Sequence, residues 1–185
     1  MTSRPAVVLT GFMGSGKSTV GRALGALGLD FVDTDAEIER RAGRTIPEIF
    51  AADGEDGFRA IEADTVRDVL ATSRGIVALG GGSPTVPAIR EALTGHHVVY
   101  LEIGPDDGYE RVSGSDRPML ADPDPRARYA AILASRVDAY RAVAAQTVDA
   151  ARPVAQIVAE IIEGLPNSGW TPYRPSDAPL QGENS

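Results

Sequence analysis

Gly11-Phe12-Met13-Gly14-Ser15-Gly16-Lys17-Ser18 spells GxxxxGK[ST], and its reading decides the fold. Ahead of it, Ala6 to Thr10 (Ala-Val-Val-Leu-Thr) has the composition of a short buried strand; behind it, Ser18 to Leu27 reads as a helix with small and apolar residues on one face. Strand, glycine loop and helix N-terminus is the order that turns backbone N–H groups onto phosphate oxygens and adds the partial positive charge of the helix end. Lys17 is the one lysine of the chain, against seventeen arginines. An arginine-biased composition accounts for the missing surface lysines but not for where the survivor stands, since this loop requires a compact ammonium and not a planar guanidinium. Gly14, Ser15, Gly16, Lys17, Ser18 and Thr19 are therefore expected around the phosphates of a nucleoside triphosphate, with the Ser18 hydroxyl toward Mg²⁺.

The 185 residues have a mass of 19.4 kDa, enough for one domain with a sizeable core. A formal net charge of −8 and a pI near 4.8 argue against a general nucleic-acid or anionic-membrane partner and favour a small, locally neutralised anion. With no cysteine there is no disulfide framework, thiolate nucleophile or zinc cluster. The apolar run at Ala6 to Leu9 is cut off by the loop, and no stretch approaches the ~20 apolar residues of a membrane span, so a cytoplasmic protein is expected.

Strand-like segments at Leu29 to Asp33, Ile76 to Leu79, His97 to Ile103 and Gln146 to Asp149 alternate with helical ones. The helices are expected to Ala42 after Asp33, from the capping box Thr45-Ile46-Pro47-Glu48, over Gly57 to Thr72, Pro87 to Leu93, Asp106 to Val112, Arg126 to Val143 and Val154 to Glu163. Such alternation predicts a parallel sheet covered on both faces, with ligands at the carboxyl ends of its strands. The glycine loop, the Asp33/Asp35 pair and Gly80-Gly81-Gly82 all fall at such ends. One domain over 1–164 is expected, with a lid at about 113–125 and a disordered tail over 165–185.

Asp33 and Asp35 stand two apart at a strand end, where both carboxylates can face one side. Beside Mg²⁺, Asp33 can hold a metal-bound water while Asp35 accepts, or orients, the proton of an attacking hydroxyl. Helix capping is the competing reading. Arg40, Arg41, Arg44, Arg67, Arg74, Arg90 and Arg128 read as solvated helix faces, while Arg59 precedes Glu62 by three residues, a spacing that locks a guanidinium through a charge pair. Arg117 precedes Pro118 in the expected lid, where an arginine could close over phosphates. His96 and His97 read as structural, and the strand beside the loop lacks the acidic residue of many nucleoside triphosphatases, leaving the metal side to Asp33.

In this order and spacing, GxxxxGKS, Asp33-Thr34-Asp35, Gly54-Glu55-x-x-Phe58-Arg59-x-x-Glu62, Gly80-Gly81-Gly82, Arg117-Pro118-x-Leu120 and Arg136-x-x-x-Tyr140 resemble the shikimate kinases over residues 5 to about 163. The resemblance implies a three-layer α/β P-loop kinase fold like that of nucleoside monophosphate kinases, with a five-stranded parallel sheet of order 2-3-1-4-5, a lid and a substrate-binding helical region. It implies ATP-dependent phosphorylation of the 3-hydroxyl of shikimate on the route to chorismate and the aromatic amino acids, with Mg²⁺, in a monomer. By the same resemblance Lys17, Asp35 and Arg117 are catalytic, Asp35, Arg59, Gly80, Gly81, Gly82 and Arg136 bind the acceptor, and Ser18 and Asp33 stand on the metal side. Arg111 and Arg117, with Arg152-Pro153, would complete the ATP site. Met119 stands where leucine is usual. The rival readings are a kinase for another hydroxy acid such as gluconate, and a nucleotide-binding regulatory module without turnover.

Overall fold

The computed structural model describes residues 5–113 and 122–166. Arg117 with most of the expected lid, and the expected tail beyond Pro166, lie outside the described residues. Five strands, β1 (Val7–Thr10), β2 (Phe31–Asp33), β3 (Ile76–Ala78), β4 (Val98–Glu102) and β5 (Gln146–Asp149), form a sheet in the order β2-β3-β1-β4-β5, with every pairing parallel. The helices are α1 (Lys17–Gly25), α2 (Thr34–Ala42), α3 (Ile46–Thr72), α4 (Pro87–Ala92), α5 (Pro105–Val112), α6 (Pro125–Val143) and α7 (Val154–Gly164).

The period of two along the strands divides the core. Val7, Leu9, Ile76, Ala78, Val99 and Leu101 pack with Val20 and Leu24 of α1 and Ile157 and Ile161 of α7. On the other face Val8, Val77 and Val98 meet Val66, Val69 and Leu70 of α3 and Ile89 of α4. Because both faces are covered, the three central strands β1, β3 and β4 read as continuous apolar runs and not as alternating ones. A third cluster, Phe12, Met13, Tyr100, Val112, Tyr129, Leu133 and Tyr140, fastens α5 and α6 to the glycine loop. A fourth, Ile38, Ile49 and Phe58, joins α2 to α3.

The elements follow the expected segments, with differences at their ends, at one junction and in one added 3-10 turn. The capping box forms as read: Thr45 Oγ1 accepts from Glu48 N, and the Glu48 carboxylate accepts from Thr45 N at 2.7 Å. The two helices expected on either side of Gly54 run together as α3, broken at Gly54 itself (φ 71°, ψ −174°). A 3-10 turn at Ser83–Thr85, absent from the sequence reading, follows the triple glycine. Since all strands run one way, Thr10, Asp33, Ala78 and Glu102 end at one edge of the sheet, and the chemistry collects there.

Candidate active site

The loop between β1 and α1 turns through Gly14 (φ 84°) and Gly16 (φ 83°), backbone conformations that only glycine adopts without strain. Lys17 Nζ folds back along it and donates to the carbonyls of Gly11 (2.8 Å) and Phe12 (3.2 Å). The outward carbonyl of Gly14 accepts from Arg111 Nη1 of α5 at 3.3 Å, and that of Met13 from Tyr129 Oη of α6 at 2.6 Å. The Met13 and Gly14 carbonyls are thus engaged by α6 and α5, and a glycine loop of this kind ahead of a helix N-terminus is suited to bind an anion through its N–H groups.

Asp33 is both things the sequence allowed. Its Oδ1 caps α2 by accepting from Asp35 N at 3.0 Å, and its Oδ2 accepts from Ser18 Oγ at 2.7 Å. A hydroxyl and a carboxylate held together at the helix N-terminus are the hard oxygen donors that Mg²⁺ takes. Asp35 lies in the first turn of α2, not on the extended segment that its spacing suggested, because the chain becomes helical at Thr34. Burial, with the Asp33 carboxylate beside it, pushes Asp35 up to about 6, and the Lys17 ammonium partly opposes the shift. It is therefore ionised at neutral pH and still a better proton acceptor than an exposed aspartate.

On the far side of Asp35 stands the triple glycine. A Cβ on Gly80 would lie 2.5 Å from Asp35 Oδ1, and one on Gly82 would lie 2.7 Å from Arg59 Nη2, so any side chain here would displace a carboxylate or a guanidinium. Gly80 N donates to Thr34 Oγ1 at 3.1 Å, which fixes the glycine run against α2. Arg59 donates through Nη1 to Glu62 Oε2 at 2.7 Å and lies over the Phe58 ring at 5.2 Å. Glu62 is 1 % exposed, and its other oxygen accepts from Ser83 Oγ at 2.6 Å. The expected pair thus exists, held by a hydroxyl from the 3-10 turn that sequence reasoning missed. Arg136 of α6 donates to the Gly81 carbonyl at 3.3 Å and sits over the Phe12 ring at 5.4 Å. Two guanidiniums therefore face the triple glycine, each backed by an aromatic ring.

Elsewhere the outcomes differ. Arg152 is turned onto α7, where it donates to Gln156 Oε1 at 3.2 Å and meets Glu160. Arg90, read as a solvated face, is half-buried and donates to the Pro84 and Thr85 carbonyls, because the unforeseen 3-10 turn presents those acceptors. Arg40 and Arg41 pair with Glu37, and Arg67 with Asp64, on exposed helix surface as expected. His97 Nε2 and Gln146 Oε1 lie 3.2 Å apart across β4 and β5, a structural placement. Tyr129 was missed altogether; a tyrosine at a buried helix position in a chain with 5 % aromatics was the signal, since its hydroxyl needs a partner.

A phosphate loop beside a carboxylate and two guanidiniums, at the strand ends of a parallel β2-β3-β1-β4-β5 sheet, defines a P-loop kinase for a small acidic acceptor. The family model described as shikimate kinase matches residues 13–166, and the chain belongs to the shikimate kinase family. It is 55% identical over 139 residues to the shikimate kinase of Mycobacterium avium (strain 104), covering 74% of this chain and 79% of that one. Against the enzyme of Mycobacterium tuberculosis (strain CDC 1551 / Oshkosh) the identity is 52% with the same coverage. Among solved structures, the shikimate kinase from Acinetobacter baumannii in complex with shikimate superposes with a TM-score of 0.80 at 36% identity, over 88% of this chain and 92% of that one. A gluconokinase from Sinorhizobium meliloti 1021, at 22% identity and a TM-score of 0.56, shares the fold alone. The chain is accordingly an enzyme that phosphorylates shikimate with ATP on the route to the aromatic amino acids. Among the described residues no helix is long and apolar enough to cross a membrane.

Proposed function

We propose that the phosphoryl transfer is carried by the side chains gathered at this strand edge, with Asp35 at their centre. The shikimate carboxylate would meet Arg59 and Arg136, and its ring hydroxyls the Gly80-Gly81-Gly82 segment, leaving the 3-hydroxyl toward Asp35. Asp35 takes the proton of that hydroxyl as its oxygen bonds to the γ-phosphorus; the bond from phosphorus to the β–γ bridging oxygen breaks, and ADP leaves. Lys17 exchanges the Gly11 and Phe12 carbonyls for β/γ oxygens, and Arg117, whose role rests on the resemblance of its Arg-Pro motif, would add a second cation. Ser18 and Asp33 would hold Mg²⁺, which neutralises charge on the β- and γ-phosphates when bound. Arg111 and the Arg152-Pro153 turn would flank the adenine. A monomer acting in the cytoplasm completes the reading.

The observation that carries this assignment is the convergence on Gly80 to Gly82 of Asp35 from one element and Arg59 and Arg136 from two others. A coupled assay with ATP, Mg²⁺ and either shikimate or gluconate tests it. Turnover is expected with shikimate alone. Arg59→Ala and Arg136→Ala should each weaken shikimate by about 2–5 kcal/mol, the range for breaking a desolvated charge pair, with ATP affinity kept. A near-normal shikimate KM in both variants would remove the carboxylate assignment.

A further inference from the structure

α6 touches both halves of the site through buried tyrosines whose hydroxyls no assigned role uses. Tyr129, fully buried, donates to the Met13 carbonyl in the phosphate loop. Tyr140, also fully buried, donates to the Gly81 carbonyl in the triple glycine. The two are eleven residues apart, about 16 Å along a helix, and share one stripe with Leu133 and Arg136. Both acceptors are backbone atoms, which no substitution in the loops themselves can remove.

The packing around each hydroxyl is close. A Cβ on Gly108 of α5 would lie 2.0 Å from Tyr129 Oη, so α5 seats the tyrosine against the loop, and the Phe12 and Tyr129 rings meet at 4.9 Å. The Tyr140 ring stacks on Tyr100 at 5.1 Å, and burial pushes its hydroxyl well above the usual phenol range, which keeps it a donor at any working pH. In the loop, Met13 and Gly14 carbonyls are turned outward onto Tyr129 and Arg111, and outward carbonyls are what leave the intervening N–H groups facing a phosphate. At the acceptor loop, Arg136 and Tyr140 share the Gly81 carbonyl, so Tyr140 sets where that carbonyl, and with it Arg136, can lie.

We propose that Tyr129 and Tyr140 are positioning residues for the shikimate kinase reaction: Tyr129 sets the phosphate loop for ATP through the Met13 carbonyl, and Tyr140 sets the acceptor loop for shikimate through the Gly81 carbonyl. The inference rests on the functional reading above, and its test separates the two. Tyr129→Phe and Tyr140→Phe each delete one oxygen from the same helix and keep the ring, so a purely structural role predicts the same outcome for both: a lower melting temperature and unchanged or equally changed KM values. The positioning role predicts a crossed pattern. Tyr129→Phe should raise the KM and Kd for ATP about three- to tenfold and leave shikimate within twofold, and Tyr140→Phe should do the reverse, the scale of one hydrogen bond. Melting curves choose a temperature at which both variants are folded. Gly108→Ala, which displaces the Tyr129 hydroxyl from the α5 side, gives a second reading and should reproduce the ATP defect alone. Uncrossed or equal effects in the two tyrosine variants would overturn the proposal, while a wild-type chain inactive on shikimate would instead overturn the functional reading.

Discussion

Asp35 gathers the most chemistry at one residue, and its charge has a cost that can be measured. Its carboxyl is raised from 3.8 to about 6 in the folded protein, by burial first and by Asp33 second, so the native state holds its proton over a range where the unfolded chain has lost it. For a carboxyl shifted upward, folding stability falls as pH rises from about 4 to about 6; the penalty is fully present above the folded value and vanishes below the unfolded one. Asp35→Asn removes the charge and keeps the shape. At pH 7.5 it should therefore stabilise the ligand-free protein by on the order of 1–3 kcal/mol, with the gain gone near pH 4, while kcat falls by about 10²–10⁴. In the wild type, kcat/KM for shikimate should decline as pH drops below about 6. Thermal melts at the two pH values decide the matter: an equal gain at both, or none at either, would mean that the ionised carboxylate is not what strains this site. The residue pair was legible because two carboxylates beside a phosphate loop must either bind a cation or share a proton. What the sequence could not give was the division of labour, in which one oxygen of Asp33 caps a helix and the other meets Ser18, since both uses need the same residue type at the same spacing.

At the scale of elements, α3 is where local structure and function meet most closely. Gly54 breaks it with φ 71° and ψ −174°, a region of backbone space that is essentially closed to other residues. The first half, Ile46 to Asp53, is fixed to α2 through Ile38 and Ile49, and to the connection after α2 through Arg44 on Asp53 at 2.7 Å. The second half begins just before Phe58, Arg59 and Glu62, so the direction of the break sets where Arg59 stands relative to Gly82. Gly54→Ala should destabilise by about 1–3 kcal/mol and raise the KM for shikimate with little change in that for ATP. Denaturant unfolding and steady-state kinetics check the two parts, and a variant of wild-type stability would show that the break is permissive and not imposed. The sequence marked both half-helices, one by its capping box and the other by the spacing of Phe58, Ile61, Val66, Val69 and Leu70. It did not show that they run on as one broken helix, because a lone glycine between two helical patterns reads equally as a loop. The 3-10 turn at Ser83–Thr85 escaped for a related reason: three residues carry no periodicity, and the Ser83 hydroxyl that holds Glu62 became meaningful only once the two were brought together.

For the whole molecule, alternation of apolar runs with helical patterns was enough for a parallel sheet with ligands at one edge, but strand order depends on which crossovers pack, and only the ordered motif set of the family supplied β2-β3-β1-β4-β5. One compositional fact of the entire chain turns this architecture into an assay. Lys17 is its sole lysine, so an amine-directed reagent can reach only Lys17 and the terminal amine of Met1. The Lys17 ammonium donates to two loop carbonyls, at 2.8 and 3.2 Å, so its side chain lies along the loop and not out in solvent. Phosphate oxygens placed within the loop would bind the same three donors more strongly and cover them. ATP with Mg²⁺ should therefore slow modification of Lys17 severalfold and leave Met1 unchanged, while shikimate alone, on the far side of Asp35, should protect far less. Peptide mass spectrometry resolves the two sites in one digest. Lys17→Arg, which keeps the charge but replaces a point ammonium with a planar fork, should be nearly inactive and should leave Met1 as the one labelled amine. Equal labelling of Lys17 with and without ATP, or normal turnover of the arginine variant, would mean that the nucleotide's phosphates lie somewhere other than in the loop between β1 and α1.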